Sequence, residues 1–414
     1  MRRINIVYVI WHCLFGTIAN GFTESYHSVR NINQQLTITQ ATARDEDAHT
    51  LPSPGHFRAR VSKRIQRRKF FRTKEAKLDL VYSCEFDQLA LPSTNNKSQK
   101  TTGVILIHPI GVGISRWFYD RLFQSFNEIQ NKTSGDNLLL VSPDLLGSGN
   151  ALTMDKSIKK LPLLNVSDWS DQTMNLMAAL EKPNSVDRWC IVANGGCSPI
   201  ALQVVSRSVD GTATFKSPVS NVILSSVPRL QFFLESTDPK KVARSYKTIC
   251  GLAGKLFWWY SCRKEGAFIQ KFSEKNLVAD PANLGNQWQR NCYETASGNG
   301  GKSKYSTFAF LAGTLQDGCV ASLNVLKEHS EKIRIDVIKG KDVRKNNAKS
   351  WFWQKRKQPK DALPVKTIQN WIEENRLGGR EISIAGRISL AHEDPKGYRD
   401  AILSFLSVDV ILKI

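Results

Sequence analysis

The chain has 414 residues, 41% of them hydrophobic and 23% charged, which is long enough for a large core and too mixed for a disordered or fibrous protein. Its 58 Lys and Arg against 37 Asp and Glu leave a net charge of +21, which favours anionic lipid, nucleic acid or acidic partners and says nothing about fold. Eight cysteines without a CxxC pair exclude a zinc ribbon and a dense disulfide scaffold. No metal and no cofactor are expected.

Met1-Arg2-Arg3 and the apolar run 4–19 have the grammar of a signal peptide, with Thr17-Ile18-Ala19 as its cleavage site. An uncleaved anchor is the alternative, although the run is short for a membrane span. Residues 20–77 are hydroxyl-rich and end in a basic stretch from Phe57 to Lys74, which reads as a leader or solvated linker. Together the two segments resemble the two-part presequence of proteins sent to a plastid through the secretory route. Asp45-Glu46-Asp47 departs from that pattern, and a secreted or ER-resident protein is the rival. The basic stretch lacks the patterns of a nucleic-acid reader, so no specific nucleic acid is expected.

From residue 78 short apolar runs alternate with helical patterns. Runs at 103–108, 138–141, 189–193, 222–224, 333–338 and 381–384 are apolar on both faces, as buried parallel strands are. Helical periodicity covers 117–129, 169–180, 199–205, 365–375 and 398–406, and Ser198-Pro199 reads as an N-cap with the first helical residue. This alternation predicts a doubly wound, mostly parallel α/β sheet. The predicted core occupies 78–230 and 331–414. The aromatic-rich segment 231–330 interrupts it as a helical cap over the C-terminal ends of the strands.

Four motifs then carry a resemblance to the α/β-hydrolase family over residues 78–414. They are Ile107-His108-Pro109-Ile110-Gly111-Val112-Gly113, the turn Ser142-Pro143-Asp144-Leu145-Leu146-Gly147-Ser148-Gly149, the elbow segment Ala193-Asn194-Gly195-Gly196-Cys197, and Ala385-Gly386-Arg387 through His392. Phe272 to Leu277 and Phe308 to Gly313 further resemble a subgroup from photosynthetic organisms. The resemblance implies an elbow nucleophile at Gly195, a residue with no attacking atom. It also implies a histidine at Arg387, whose guanidinium cannot serve as a base. The implied acid position falls on Asp342.

Two functions from different classes follow. One is a non-hydrolytic protein that binds a small apolar or carbonyl-bearing ligand in a capped pocket, lined by His108 and by the backbone N–H groups of Ile110, Gly111 and Gly196. The other is an esterase, lipase-like or acyl-transfer enzyme in which Cys197 is the nucleophile and Asp342 and His392 serve it. Ser198 reads as a cap, His108 and Asp144 as turn-shaping residues, and His392 as a histidine at the pocket rim. Residues 339–360 carry nine Lys and Arg against one acid, with Trp351-Phe352-Trp353 among them, which suits an anionic membrane surface.

Overall fold

The computed structural model describes residues 37–39, 54–69, 72–93, 100–129, 133–134, 136–153, 161–234, 237–259, 268–316, 319–341, 368–407 and 409–410. The proposed signal peptide, Asp342 and Trp351 to Trp353 lie outside the described residues.

The strands are β1 (Thr37–Thr39), β2 (Pro54–Lys69), β3 (Arg72–Leu91), β4 (Thr101–Ile107), β5 (Thr133–Ser134), β6 (Asn137–Pro143), β7 (Leu152–Thr153), β8 (Arg188–Asn194), β9 (Val219–Ser225), β10 (Arg334–Gly340), β11 (Glu381–Ile384) and β12 (Asp409–Val410). The main sheet runs β1-β2-β3-β6-β4-β8-β9-β10-β11, with β7 paired to β3. From β6 to β11 every neighbour is parallel, while β1, β2 and β3 add an antiparallel edge. The central strands are buried along nearly their whole length, so their sequences lack a polar face. Alternate residues divide between two cores. Ile105 and Ile107 of β4 belong to one and Val104 and Leu106 to the other.

The helices are α1 (Asp120–Asn127), α2 (Val166–Glu181), α3 (Ser198–Val209), α4 (Leu230–Leu234), α5 (Pro239–Ile249), α6 (Leu252–Trp258), α7 (Phe268–Asn276), α8 (Gly285–Ser297), α9 (Lys304–Ala312), α10 (Cys319–Glu328), α11 (Ile368–Glu374), α12 (Leu390–Glu393) and α13 (Pro395–Leu406). Helices α2 and α3 cover the Ile105 face, and α1 and α13 cover the Val104 face. The helices from α4 to α10 stand between β9 and β10, as expected of an inserted cap. Its Trp258 and Phe308 join one core, and Trp288 and Cys292 join the other.

The N-terminal boundary differs from the one expected. Residues 54–69 form a strand paired in register with β3, although their composition reads as part of the leader ending at 77. Phe57, Ala59, Val61 and Lys63 are buried while His56, Arg58, Arg60 and Ser62 are exposed, which is a period-two strand written in basic residues.

Lys63 is the buried cation of that strand. Its Nζ lies 2.5 Å from Asp168 Oδ2 and also donates to the Leu163 carbonyl. Asp168 in turn closes the start of α2. Its carboxylate accepts the Asn165 N–H at 2.7 Å, and its own N–H donates to Asn165 Oδ1 at 3.1 Å. Burial lowers the Lys63 pKa and raises that of Asp168, and their mutual attraction opposes both shifts. Removing one partner strands the other charge. Asp168→Ala should therefore cost about 3–5 kcal/mol in chemical denaturation, and a Lys63→Met/Asp168→Leu double variant should recover much of it. Equal stability of wild type and the single variant would refute the pairing.

Candidate functional site

The C-terminal ends of β4, β6 and β8 meet where the chain order switches direction, the position at which α/β sheets build their sites. Strand β8 ends at Asn194, and a single turn, Gly195–Cys197, leads into α3. Gly195 has φ +57°, the left-handed conformation expected of an elbow tip. A Cβ built there would find only the Ser226 carbonyl oxygen, at 4.0 Å. The tip therefore has both the bend and the room for a side chain, and carries none.

Cys197 stands two residues beyond the tip, on the inner side of the turn. It is buried, and its Sγ accepts the N–H of Ile110 at 3.3 Å. That N–H is one of the three, with those of Gly111 and Gly196, that the sequence assigns to the pocket, and here it is spent on the thiol. Burial pushes the Cys197 pKa up to about 12, with the Ile110 bond opposing more weakly, so the thiol is neutral near pH 7. Ser198 does not cap the helix through its backbone N–H groups. It is the first helical residue, and its Oγ donates to the Gly195 carbonyl at 2.8 Å, tying the turn to itself.

His392 is not a rim histidine. It lies buried on α12, with its ring edge-to-face on Trp288 at 4.6 Å and Nε2 3.3 Å from the Leu284 carbonyl. Burial first, and the nearby Arg121 second, lower its pKa to about 4. The ring is therefore neutral, and Nε2–H donates to Leu284. No hydrogen bond joins His392 to Cys197. Cys197 packs in the core that holds Trp258, and Trp288 packs in the other. Arg387 occupies the position where the resemblance implies a histidine. Its Nη1 donates to the carbonyl of Lys275 on α7 at 2.9 Å and its N–H to Glu393 Oε2 at 2.8 Å, so it fastens cap to core.

His108 and Asp144 shape turns, as expected. His108 Nε2 accepts the Leu145 N–H at 3.1 Å, which places the proton on Nδ1, 3.1 Å from the Pro109 carbonyl. Burial keeps its pKa low and the ring neutral. Asp144 accepts from Arg116 N–H at 2.9 Å, Arg116 Nη1 at 2.8 Å and Asn150 N–H at 2.8 Å. Gly149 passes so close that a Cβ would meet Asp144 Oδ2 at 2.3 Å. Arg116 also pairs with Glu85 at 2.6 Å and Asp87 at 3.1 Å. Sequence reasoning missed this cluster, because its members lie on separate elements and have no common spacing.

The cap descends onto the site. A Cβ on Gly196 would meet Phe310 Cε2 at 3.4 Å and Leu315 Cδ1 at 3.8 Å, and Thr307 Oγ1 donates to the Gly111 carbonyl at 2.9 Å. A separate cleft of about 430 Å³ opens along the cap–core seam, lined by Arg116, Asp120, Asp144, Asn150, Glu294 and Thr295. None of Gly195, Gly196 and Cys197 lines it. Burial, with help from Asp87, raises the Asp120 pKa to about 7.

No family model and no curated protein matches this sequence. Solved structures do. The peroxisomal α/β-hydrolase Lpx1 of Saccharomyces cerevisiae is similar with a TM-score of 0.50 at 11% identity, over 85% of this chain and 88% of that one. A 2-hydroxy-6-oxo-6-phenylhexa-2,4-dienoate hydrolase from a Rhodococcus strain is similar with a TM-score of 0.49 at 13% identity, over 84% and 99% of the two chains. A thermophilic esterase from Thermogutta terrifontis follows with 0.48 at 10% identity, over 84% and 98%. The chain has the α/β-hydrolase fold, with a mostly parallel sheet and a helical cap. Likeness at this identity concerns the fold alone.

Two outcomes follow from the pKa shifts. Native protein treated with iodoacetamide at pH 8 should leave Cys197 unmodified, since about one thiol in ten thousand is ionised four units below its pKa, and alkylation should appear on unfolding. Modification at the rate of a free thiol would mean the sulfur is open to solvent. For Asp120 the folded pKa lies above the unfolded one, so the native state binds more protons between about pH 4 and 7 and loses stability as pH rises through that window. Asp120→Asn should therefore stabilise the protein on the order of 1 kcal/mol at pH 8 and progressively less toward pH 4, read from thermal melts. A gain independent of pH would contradict the shift.

Proposed function

We propose that this protein is a non-hydrolytic member of its fold class that binds a small apolar or carbonyl-bearing ligand at the elbow and works at an anionic membrane surface. One observation carries the loss of hydrolysis. The Ile110 N–H, one of the donors assigned to a developing oxyanion, donates to the neutral thiol of Cys197. An acyl transfer at this site would need that donor free, a nucleophile at the tip and a base within reach. The resemblance puts Gly195 at the tip and Arg387 at the base position, and His392 is bonded to a cap carbonyl. The room at Gly195 supports binding without turnover, because a ligand group can fill the volume that a nucleophile side chain occupies elsewhere.

The membrane part of the reading is supported by the basic, aromatic segment 339–360 and the net charge of +21. Entry to the secretory route through residues 1–19, with onward passage to a plastid, is supported by the sequence pattern of the N-terminus. Any second cut falls before Pro54, since losing β2 would uncover Leu80, Tyr82, Cys84 and Phe86 on β3.

Purified protein should turn over p-nitrophenyl butyrate no faster than buffer. Cys197→Ala should change nothing, and Gly195→Ser should fold at a cost of about 1 kcal/mol, set by the left-handed backbone, without gaining turnover. Hydrolysis abolished by Cys197→Ala would overturn the proposal and make the thiol the nucleophile.

A further inference from the structure

Soluble proteins expose large apolar side chains singly, and clusters mark contact surfaces. Among the described residues eight large hydrophobic side chains are exposed; three of them lie on the neighbouring cap helices α6 and α7, and a fourth, Trp259, is the residue that ends α6. Leu252 is 74% exposed, Leu256 52%, Trp259 57% and Phe272 38%. The first three follow one another at helical spacing. With 100° per residue, Leu252, Lys255, Leu256 and Trp259 fall within an arc of about 100° on one side of α6. The rest of the helix is anchored. Trp258 is buried, donates Nε1–H to the Ala296 carbonyl at 3.2 Å, and meets Phe308 edge-on at 5.8 Å. A Cβ on Gly254 would lie 1.6 Å from the Ile249 carbonyl oxygen, so the helix is pressed against the end of α5. The helix cannot rotate its apolar stripe inward without withdrawing Trp258.

A chain of rings joins the two helices. Phe257 meets Phe268 at 5.8 Å, and Phe268 stacks on Phe272 at 5.9 Å, which carries the apolar surface from α6 onto α7. Cations accompany it. Lys255 stands inside the stripe, and Lys271 and Lys275 lie on α7. All three are exposed, and none has an ion pair among the described residues. The only described acid on either helix is Glu274.

We infer that the α6–α7 face of the cap docks on an anionic lipid surface, with Leu252, Leu256, Trp259 and Phe272 at the depth of the headgroups and Lys255, Lys271 and Lys275 against lipid phosphates or carboxylates. The inference rests on the membrane reading above and gives it a second, independent contact. Charge decides between partners. Apolar side chains alone would suit a protein groove. Lysines set among them without an ion pair among the described residues, on a chain of net charge +21, complement a bilayer carrying negative headgroups. A tryptophan at the border of the apolar stripe belongs at that interface for the same reason.

Flotation of the full chain on vesicles tests it, using neutral phosphatidylcholine and the same lipid with about a third phosphatidylserine. Wild type should float with the mixed vesicles and much less with neutral ones. The Leu252→Ser/Leu256→Ser/Trp259→Ser variant should lose affinity about tenfold or more for mixed vesicles, and Lys255→Glu/Lys271→Glu about tenfold. Unchanged thermal melts would establish that both variants fold. Trp351→Ser/Trp353→Ser separates the two contacts, because the α6 variant should weaken binding further in that background. If wild type ignores anionic vesicles, the membrane reading and this inference fall together. If wild type binds and both cap variants bind equally well, this inference alone fails. Equal flotation on neutral and anionic vesicles, or cap variants that keep flotation while losing a co-purifying protein, would likewise overturn it.

Discussion

A hydrogen-bond donor that faces a reaction centre is useful only while nothing in the ground state satisfies it. In this molecule the Ile110 N–H is satisfied by the Cys197 sulfur, and both atoms are held by the fold. Ile110 lies in the turn after β4, and Cys197 ends the turn after β8, so the contact joins the two adjacent strands at the switch point of the sheet. Sulfur is a soft, weak acceptor, but a buried one costs nothing further in desolvation. Freeing the N–H would leave a buried donor unpaired, at roughly 1–3 kcal/mol. The fold itself therefore keeps this donor occupied. Burial, and not this contact, explains the thiol's inertness. One backbone N–H cannot offset full burial, which pushes the Cys197 pKa to about 12.

Charge elsewhere in the core is arranged to hold loops. Arg116 gathers Glu85, Asp87 and Asp144 from β3 and the turn after β6. Through them it binds the turn at Asp144 to the entry of α1 and to the antiparallel edge of the sheet. Lys63 does the same for the start of α2 through Asp168. Each cluster costs desolvation and returns geometry, since every buried charge meets an opposite charge or a backbone dipole. These clusters fix the loops around the elbow without supplying a base to it.

The parallel core and the cap were legible in the sequence because fully buried strands leave continuous apolar runs, and those at 103–108, 189–193 and 222–224 became β4, β8 and β9. The bend at Gly195 was legible for a different reason, since glycine takes the left-handed conformation at least cost. Strand β2 was not legible. Its buried face is spelled Phe57, Ala59, Val61 and Lys63, and the arginines between them give it the composition of a linker. The pairing of a buried lysine with Asp168, more than a hundred residues away, had no local trace. His392 was misplaced for the same reason. What buries it is Trp288 and the Leu284 carbonyl, both from the cap, and periodicity within 390–393 carries no record of them.

The cap turns these separate features into one argument about function. In a lid that opens over a reaction, contacts to the core must break readily. Here the cap is joined to the core by Arg387 to the Lys275 carbonyl, Thr307 to the Gly111 carbonyl and His392 to the Leu284 carbonyl, and by Phe310 and Leu315 against Gly196. Together these contacts bind the cap down and make it a rigid platform. A rigid platform is what the outward apolar stripe of α6 requires, because ordering a mobile helix would consume most of the gain from burying three exposed side chains. Holding the cap against the core and presenting a fixed outer surface are thus consequences of the same set of cap–core bonds.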